Sequence, residues 1–194
     1  TWAPAREAAS SLLENAEAAR ATKQTDRVID YGTQALERTV ECLGEQRQGV
    51  LAALDGSQDR VMALMESGDA MEGALDVLVT EAQVRQVLAD AQMDKGMIVE
   101  AQRNLEEAER VSEKLSDGVQ KAQCMRSRGM ICLMKKDVRK AEDLLRRAVE
   151  ICREEEDQKE EAESLQLLIK LHRQSEGMFD HVCGLYHELL EAQQ

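Results

Sequence analysis

Residues 126–151 read RSRGMICLMKKDVRKAEDLLRRAVEI. Two helical segments meet at Lys135-Lys136-Asp137, yet Gly129 interrupts the first, and Ala141 and Ala148 punctuate the second. A glycine inside a helix costs about 1 kcal/mol relative to alanine, so something must approach the backbone closely there. Sliding the chain against itself by 40 residues explains it. Gly49, Ala89 and Gly129 share one register, Val61, Ala101 and Ala141 a second, and Gly68, Ala108 and Ala148 a third. Large apolar residues travel with them: Met65, Leu105 and Leu145, then Met71, Val111 and Ile151. Gly56 and Gly96 share the breaker position, which Lys136-Asp137 takes in the next copy. Small residues at fixed points with larger apolar residues between them mean closely crossing helices. Gly129 is thus expected to let the following helix pack at short range through Ala141 and Ala148.

Composition agrees with a helical chain. The 194 residues suffice for one domain; 43% are hydrophobic but only 2% aromatic, with a single proline. Strands favour β-branched and aromatic residues, whereas this Ala-, Leu-, Glu- and Met-rich chain favours helix, so the fold class is all-α. A net charge of −13 excludes a general nucleic-acid binder, which needs a basic face to displace counterions. No apolar run approaches the roughly 18 residues of a membrane span, so no membrane partner is expected. The opening Thr1-Trp2-Ala3-Pro4 has neither an initiator Met nor a signal peptide, which reads as a piece of a longer chain. Five cysteines without C-x-x-C spacing point to reduced thiols in a cytoplasmic, reducing compartment.

The 40-residue pattern resembles the tetratricopeptide repeat family, a helix–turn–helix unit with small, small, large apolar and small residues at set places. Residues 122–155 put Gly129, Ala141, Leu145 and Ala148 there; residues 82–115 put Ala89, Ala101, Leu105 and Ala108. The copy at 42–75 keeps Gly49 and Gly68 but has Val61, and Ala16, Val28 and Ala35 fit an earlier copy. After Ala162 the pattern decays: the turn Ser175-Glu176-Gly177 fits, but Val182 and Leu189 replace small residues. The resemblance implies a right-handed superhelical solenoid of about five antiparallel helix pairs spanning residues 1–194 as one domain. Its units are roughly 9–41, 42–81, 82–121, 122–161 and 162–194. Six residues beyond the family's usual 34 lengthen each unit by some 9 Å of helix, shared between two helices. The stretch ESGDAMEGALDV (66–77) stays open. Ser67-Gly68-Asp69 could break the helix, with Asp69 and Glu72 as a capping box for a new one, or the helix runs through with Gly68 as a packing point.

The resemblance also implies that the first helix of each pair lines a concave groove. Transferred residue by residue, that groove holds Val50 in the second unit, Gln83, Gln86, Asp90 and Met93 in the third, and Gln123, Arg126, Met130, Leu133 and Met134 in the fourth. It reads as a methionine-lined surface for an apolar or amphipathic peptide or helix, with Met130 and Met134 foremost. The Lys and Asn with which the family's chaperone-tail binders clamp a carboxylate are missing at those places, so that partner class is excluded. Residues 121–153 carry a net charge of +6 against −19 for the remainder. Lys135, Lys136, Arg139, Lys140, Arg146 and Arg147 form a candidate docking patch for an acidic partner, unless pairs such as Glu142–Arg146 and the acidic run 154–163 absorb the charge.

Nothing in the sequence carries catalysis. Cys183 and His187 lie four apart on one helical face but lack a third metal ligand, and no phosphate-cradling loop or nucleophile elbow is present. No cofactor is expected. The chain reads as a non-catalytic protein-interaction scaffold. The alternative is a structural subunit held in an assembly by its ends and convex faces: Phe179, Val182, Tyr186, Leu189 and Leu190 end the chain without a polar cap.

Overall fold

The computed structural model describes residues 3–44, 46–54, 62, 70–173, 184–185 and 187–190. The second helix expected in the second unit (Gly56, Val61, Met65, Gly68) lies outside them, as do the Ser67–Asp69 break, the Ser175–Gly177 turn and Phe179, Val182, Cys183 and Tyr186. The described residues form eight α-helices and no strand: α1 Ala3–Ala21, α2 Thr25–Leu43, α3 Gln46–Ala53, α4 Ala70–Asp94, α5 Ile98–Leu115, α6 Gly118–Met134, α7 Val138–Glu154 and α8 Gln158–Arg173. Residues 184–185 and 187–190 are also helical.

The turns between helices are nearly identical. Gly96, Ser116, Lys136 and Glu156 all have positive φ and stand 20 residues apart; Lys23 does the same between α1 and α2. The residue after each left-handed position donates its N–H to the carbonyl five back: Gln24 to Ala19, Met97 to Gln92, Asp117 to Ser112, Asp137 to Cys132 and Asp157 to Cys152, at 2.8–3.0 Å. This is the Schellman closure, which satisfies carbonyls that a helix end leaves open. The same residue then starts the next helix. Asp117, Asp137 and Asp157 accept the N–H of Gln120, Lys140 and Glu160 at 2.9, 3.3 and 3.0 Å, N-caps worth about 1 kcal/mol each. The 40-residue period is therefore two 20-residue helix-plus-turn modules.

The chain divides into two compact units, Thr1–Gln120 and Lys121–Gln194. In the first, α1 and α2 form a hairpin, and both pack directly against α4, which pairs with α5. Their seam is made of Leu13, Ala16 and Ala19, Val28 and Ala35, and Val84, Val87 and Ala91. Gly32 stands where Leu105 and Leu145 stand in the later copies; a Cβ there would lie 3.4 Å from the Leu88 side chain. Leu88 has taken the space. A second core joins Leu43, the α3 residues Val50, Leu51 and Leu54, the first half of α4, and Val111 and Leu115. Helix α4 runs unbroken through residues 81–82, where the repeat register places a join between units; Glu81 and Ala82 are both buried mid-helix.

In the second unit α6, α7 and α8 share Ala122, Met125, Ala148 and Cys152, and further along Cys132, Ala141, Leu144 and Leu171. Gly129 meets α7 closely: a Cβ on it would sit 3.0 Å from Cγ and 3.1 Å from Cδ2 of Leu145, and 3.6 Å from the Ala141 carbonyl oxygen. The tightest neighbour is thus the large residue of the register, with Ala141 behind it. Ala148 instead packs beside Ala122 and Met125. Beyond α8, Leu185 and Leu189 lie against Leu145, Val149, Leu165, Leu168 and Ile169.

Two outcomes test this account. Lys136→Gly should raise stability by about 0.5–1 kcal/mol, since a left-handed conformation costs a non-glycine residue about 1–2 kcal/mol and the added backbone freedom returns part of that; Gly96→Ala should lower it. Gly129→Ala should cost about 1 kcal/mol, overpacking against Leu145 outweighing the propensity gain. In a Leu145→Ala background the same change should become neutral or stabilising. Thermal melts by circular dichroism read both.

Candidate protein-interaction surface

Among the described residues of this acidic chain, three charged side chains, Glu81, Arg126 and Glu160, are buried. In the first unit Glu81, with no exposed side-chain surface, accepts Nε and Nη2 of Arg47 at 2.9 Å each and Nε of Arg85 at 2.7 Å. Arg85 continues to Oδ1 of Asn104 at 3.2 Å, and Asn104 donates to Gln92 at 3.0 Å. Glu107, 3.5 Å from Arg47, is held below its ordinary pKa chiefly by its hydrogen bonds from Arg110. In the second unit Arg126 binds Glu160 at 2.5 Å and Glu163 at 2.6 Å, buried with Glu160. Arg47–Glu81 and Arg126–Glu160 are each separated by 34 residues, and Gln86 and Gln120, both buried, keep that separation in the copy between them.

This network claims several of the expected groove residues. In the first unit Val50, Gln86 and Met93 are buried; Gln86 donates to Asp90 at 2.7 Å, and Asp90 also accepts from Arg20 at 2.7 Å. Gln83 is exposed. In the second unit Arg126 is buried in its ion pairs, Leu133 packs against Cys132, Ala141 and Leu171, and Gln123 is half-buried. Met130 and Met134 are 38% and 53% exposed, one helical turn apart, on a helix whose Ile131 and Cys132 are buried.

Residues 80–154 match the sequence profile of the tetratricopeptide repeat. Over that stretch the chain is tetratricopeptide-repeat sequence. A comparison with curated proteins returns no match. Repeats of this family are protein-interaction modules, and among the described residues no helix is long and apolar enough to cross a membrane.

Within the repeat at 118–154 the turn from α6 to α7 carries the expected basic patch. Lys135, Lys136, Arg139, Lys140 and Arg147 are exposed. Arg146 is committed elsewhere: its Nε and Nη2 donate to Oε1 of Glu142 at 3.0 and 2.9 Å, with His172 Nε2 3.4 Å from the same oxygen. Arg139 and Lys140 occupy the first turn of α7, which has no acidic residue, whereas α5 and α8 begin with Glu100 and with Glu160 and Glu161. A cation at a helix N-terminus opposes the helix dipole, a cost of about 0.3–1 kcal/mol each when exposed.

Among the described cysteines Cys124, Cys132 and Cys152 are buried and Cys42 is half-buried. Cys42, Cys124, Cys132 and Cys152 are free thiols. Burial, reinforced by Glu160 and Asp157, pushes Cys152 up to about 12. His187 is exposed, and among the described residues no three His, Cys, Asp or Glu side chains converge as metal ligands.

The buried pair and the thiol each give a measurement. Glu160→Ala together with Glu163→Ala should destabilise by about 3 kcal/mol, because the two changes remove both carboxylates from a buried guanidinium, and Arg126→Met with Glu160→Met should recover most of that loss in urea titrations. Alkylation of Cys152 by iodoacetamide at mildly alkaline pH should be at least about a hundred-fold slower in the folded chain than in urea, because only the thiolate reacts. Mass spectrometry of the labelled peptide reads the ratio.

Proposed function

We propose that this tetratricopeptide-repeat chain is a non-catalytic scaffold that holds an apolar or amphipathic segment of a protein partner in a groove lined by Met130 and Met134 of α6. One observation carries the reading: Met130 and Met134 stand exposed one turn apart on a helix whose remaining apolar residues are buried or half-buried. Unbranched, polarizable methionine side chains adapt to the shape of an incoming apolar residue, and a pair at i, i+4 presents an apolar stripe one helical turn long. Free, buried thiols agree with work in a reducing compartment such as the cytoplasm.

A second reading, a subunit held permanently in an assembly through its ends, draws on Leu190, which is 60% exposed beside the half-buried Leu189.

A pull-down from lysate separates them. Met130→Glu with Met134→Glu, shown by circular dichroism to remain folded, should lose a partner that the unaltered chain retains. Equal recovery by both chains rules out the α6 surface. Loss on Leu190→Glu instead supports the assembly reading.

A further inference from the structure

The turn that follows the two methionines has features that the α6 face alone does not explain. Residues 134–140 are exposed without a break, and within them Met134 and Val138 flank Lys135 and Lys136, with Arg139 and Lys140 directly after Val138. Lys136, Arg139 and Lys140 make no ion pair with any described residue; Lys23, Arg27, Arg103, Arg147, Lys159, Lys170 and Arg173 make none either, but only at 136–140 do three such cations fall within five residues. Asp137, the one acid among them, already accepts the Lys140 N–H as the helix cap. In the first turn of α7 an acidic side chain would serve folding better: Glu100 and Glu160 hold the position of Lys140 in the neighbouring modules, and Glu156 shows that the backbone position of Lys136 accepts an acid as well. In a chain of net charge −13, an isolated basic cluster set against local helix electrostatics, with apolar side chains at its margins, calls for an anionic counterpart from outside.

We propose that the α6–α7 turn docks an acidic stretch of the protein segment whose apolar residues lie on Met130 and Met134. This rests on the reading above and adds the partner's chemistry: carboxylates that meet Lys136, Arg139 and Lys140, next to apolar residues that cover Met134 and Val138. A second copy of this chain fits less well. Its matching acidic turn, Glu154-Glu155-Glu156, is exposed but presents no exposed large apolar residue to cover Met134 and Val138.

The test is a selection from a phage-displayed random peptide library on the unaltered chain. Each recovered pool is then assayed against Lys136→Glu/Arg139→Glu/Lys140→Glu and against Met130→Glu/Met134→Glu. The charge variant should melt close to the unaltered chain, because Arg139→Glu and Lys140→Glu remove unfavourable charges at the start of α7 and offset the anion that Lys136→Glu places at the end of α6. The selected pool should be enriched in Asp and Glu beside apolar residues, and should bind the charge variant at least about ten-fold more weakly, with a steep salt dependence. A neutral pool that binds the charge variant unchanged but fails on the methionine variant overturns this inference and leaves the α6 surface standing. A pool lost on the charge variant alone removes the α6 surface and keeps the acidic dock. Absence of any enriched peptide overturns both. Salt-sensitive self-association of the unaltered chain in sedimentation, abolished by the charge variant, reassigns the turn to a second copy. Flotation with phosphatidylserine vesicles, lost in the charge variant, reassigns it to a lipid surface.

Discussion

A left-handed residue every twenty positions, at Gly96, Ser116, Lys136 and Glu156, governs the repeat from α4 to α8. Each ends one helix through its Schellman bonds and hands the next residue directly to the following helix as its first half-turn. No slack separates the elements, so within each compact unit successive helices fold back on each other. Helices of 17 or 18 residues, about 26 Å long, leave only the side chains at the crossings to decide how closely they approach. Once the turns are set, the small residues of the 40-residue register recur on the same faces.

Those faces then carry the packing. Gly129 receives Leu145, and Gly32 receives Leu88, so the two glycines act as sockets for leucines from neighbouring helices. The leucine comes from the paired helix at 129 and from α4 at 32, a different route to the same close approach. Ala101, Ala108, Ala141 and Ala148 are all fully buried. The arginine–glutamate pairs 34 residues apart operate beside this apolar seam. A buried pair of this kind adds little net stability against an apolar pair of equal size, but leaving one partner alone is costly. Its effect is to penalise any slip that would separate Arg47 from Glu81 or Arg126 from Glu160.

The helical class and the register from Ala82 to Ala162 were legible because they depend on side-chain size at fixed spacing, which a sequence displays directly. The turns were legible only where glycine or Asp137 announced them. Ser116, Lys136 and Glu156 adopt the left-handed conformation without the residue type that advertises it; the evidence for them was their spacing from Gly96. Candidate surface residues were harder to place. Arg126 and Gln86 look like solvent-facing polar residues until their partners at Glu160 and Asp90 are known, and those partners lie on another helix or another turn. Met93 and Met130 occupy neighbouring places in the register, yet one is buried and the other exposed. Periodicity gives a face, whereas burial depends on what covers it. The recurrence of Arg–Glu at a separation of 34 was the one signal in the sequence that could have revealed the ladder.

The distribution of charge separates what the fold uses from what it leaves over. Cations that help the fold sit beside carboxylates: Arg47 and Arg85 on Glu81, Arg126 on Glu160, Arg146 on Glu142, and Arg153 on Glu161 and Glu188. The cations at the start of α7 have no such company and occupy the end of a helix dipole that repels them. Solvent screening makes each such placement tolerable, so one alone would carry little meaning. Three within five residues, interspersed with exposed Met134 and Val138, in a chain otherwise strongly acidic, form a coherent surface of opposite sign. Folding alone gives no reason to retain it, because the same backbone positions in neighbouring modules hold Glu156, Glu100 and Glu160 without difficulty. A residue set that opposes its own helix while fitting its backbone is better explained by something it meets than by anything it supports.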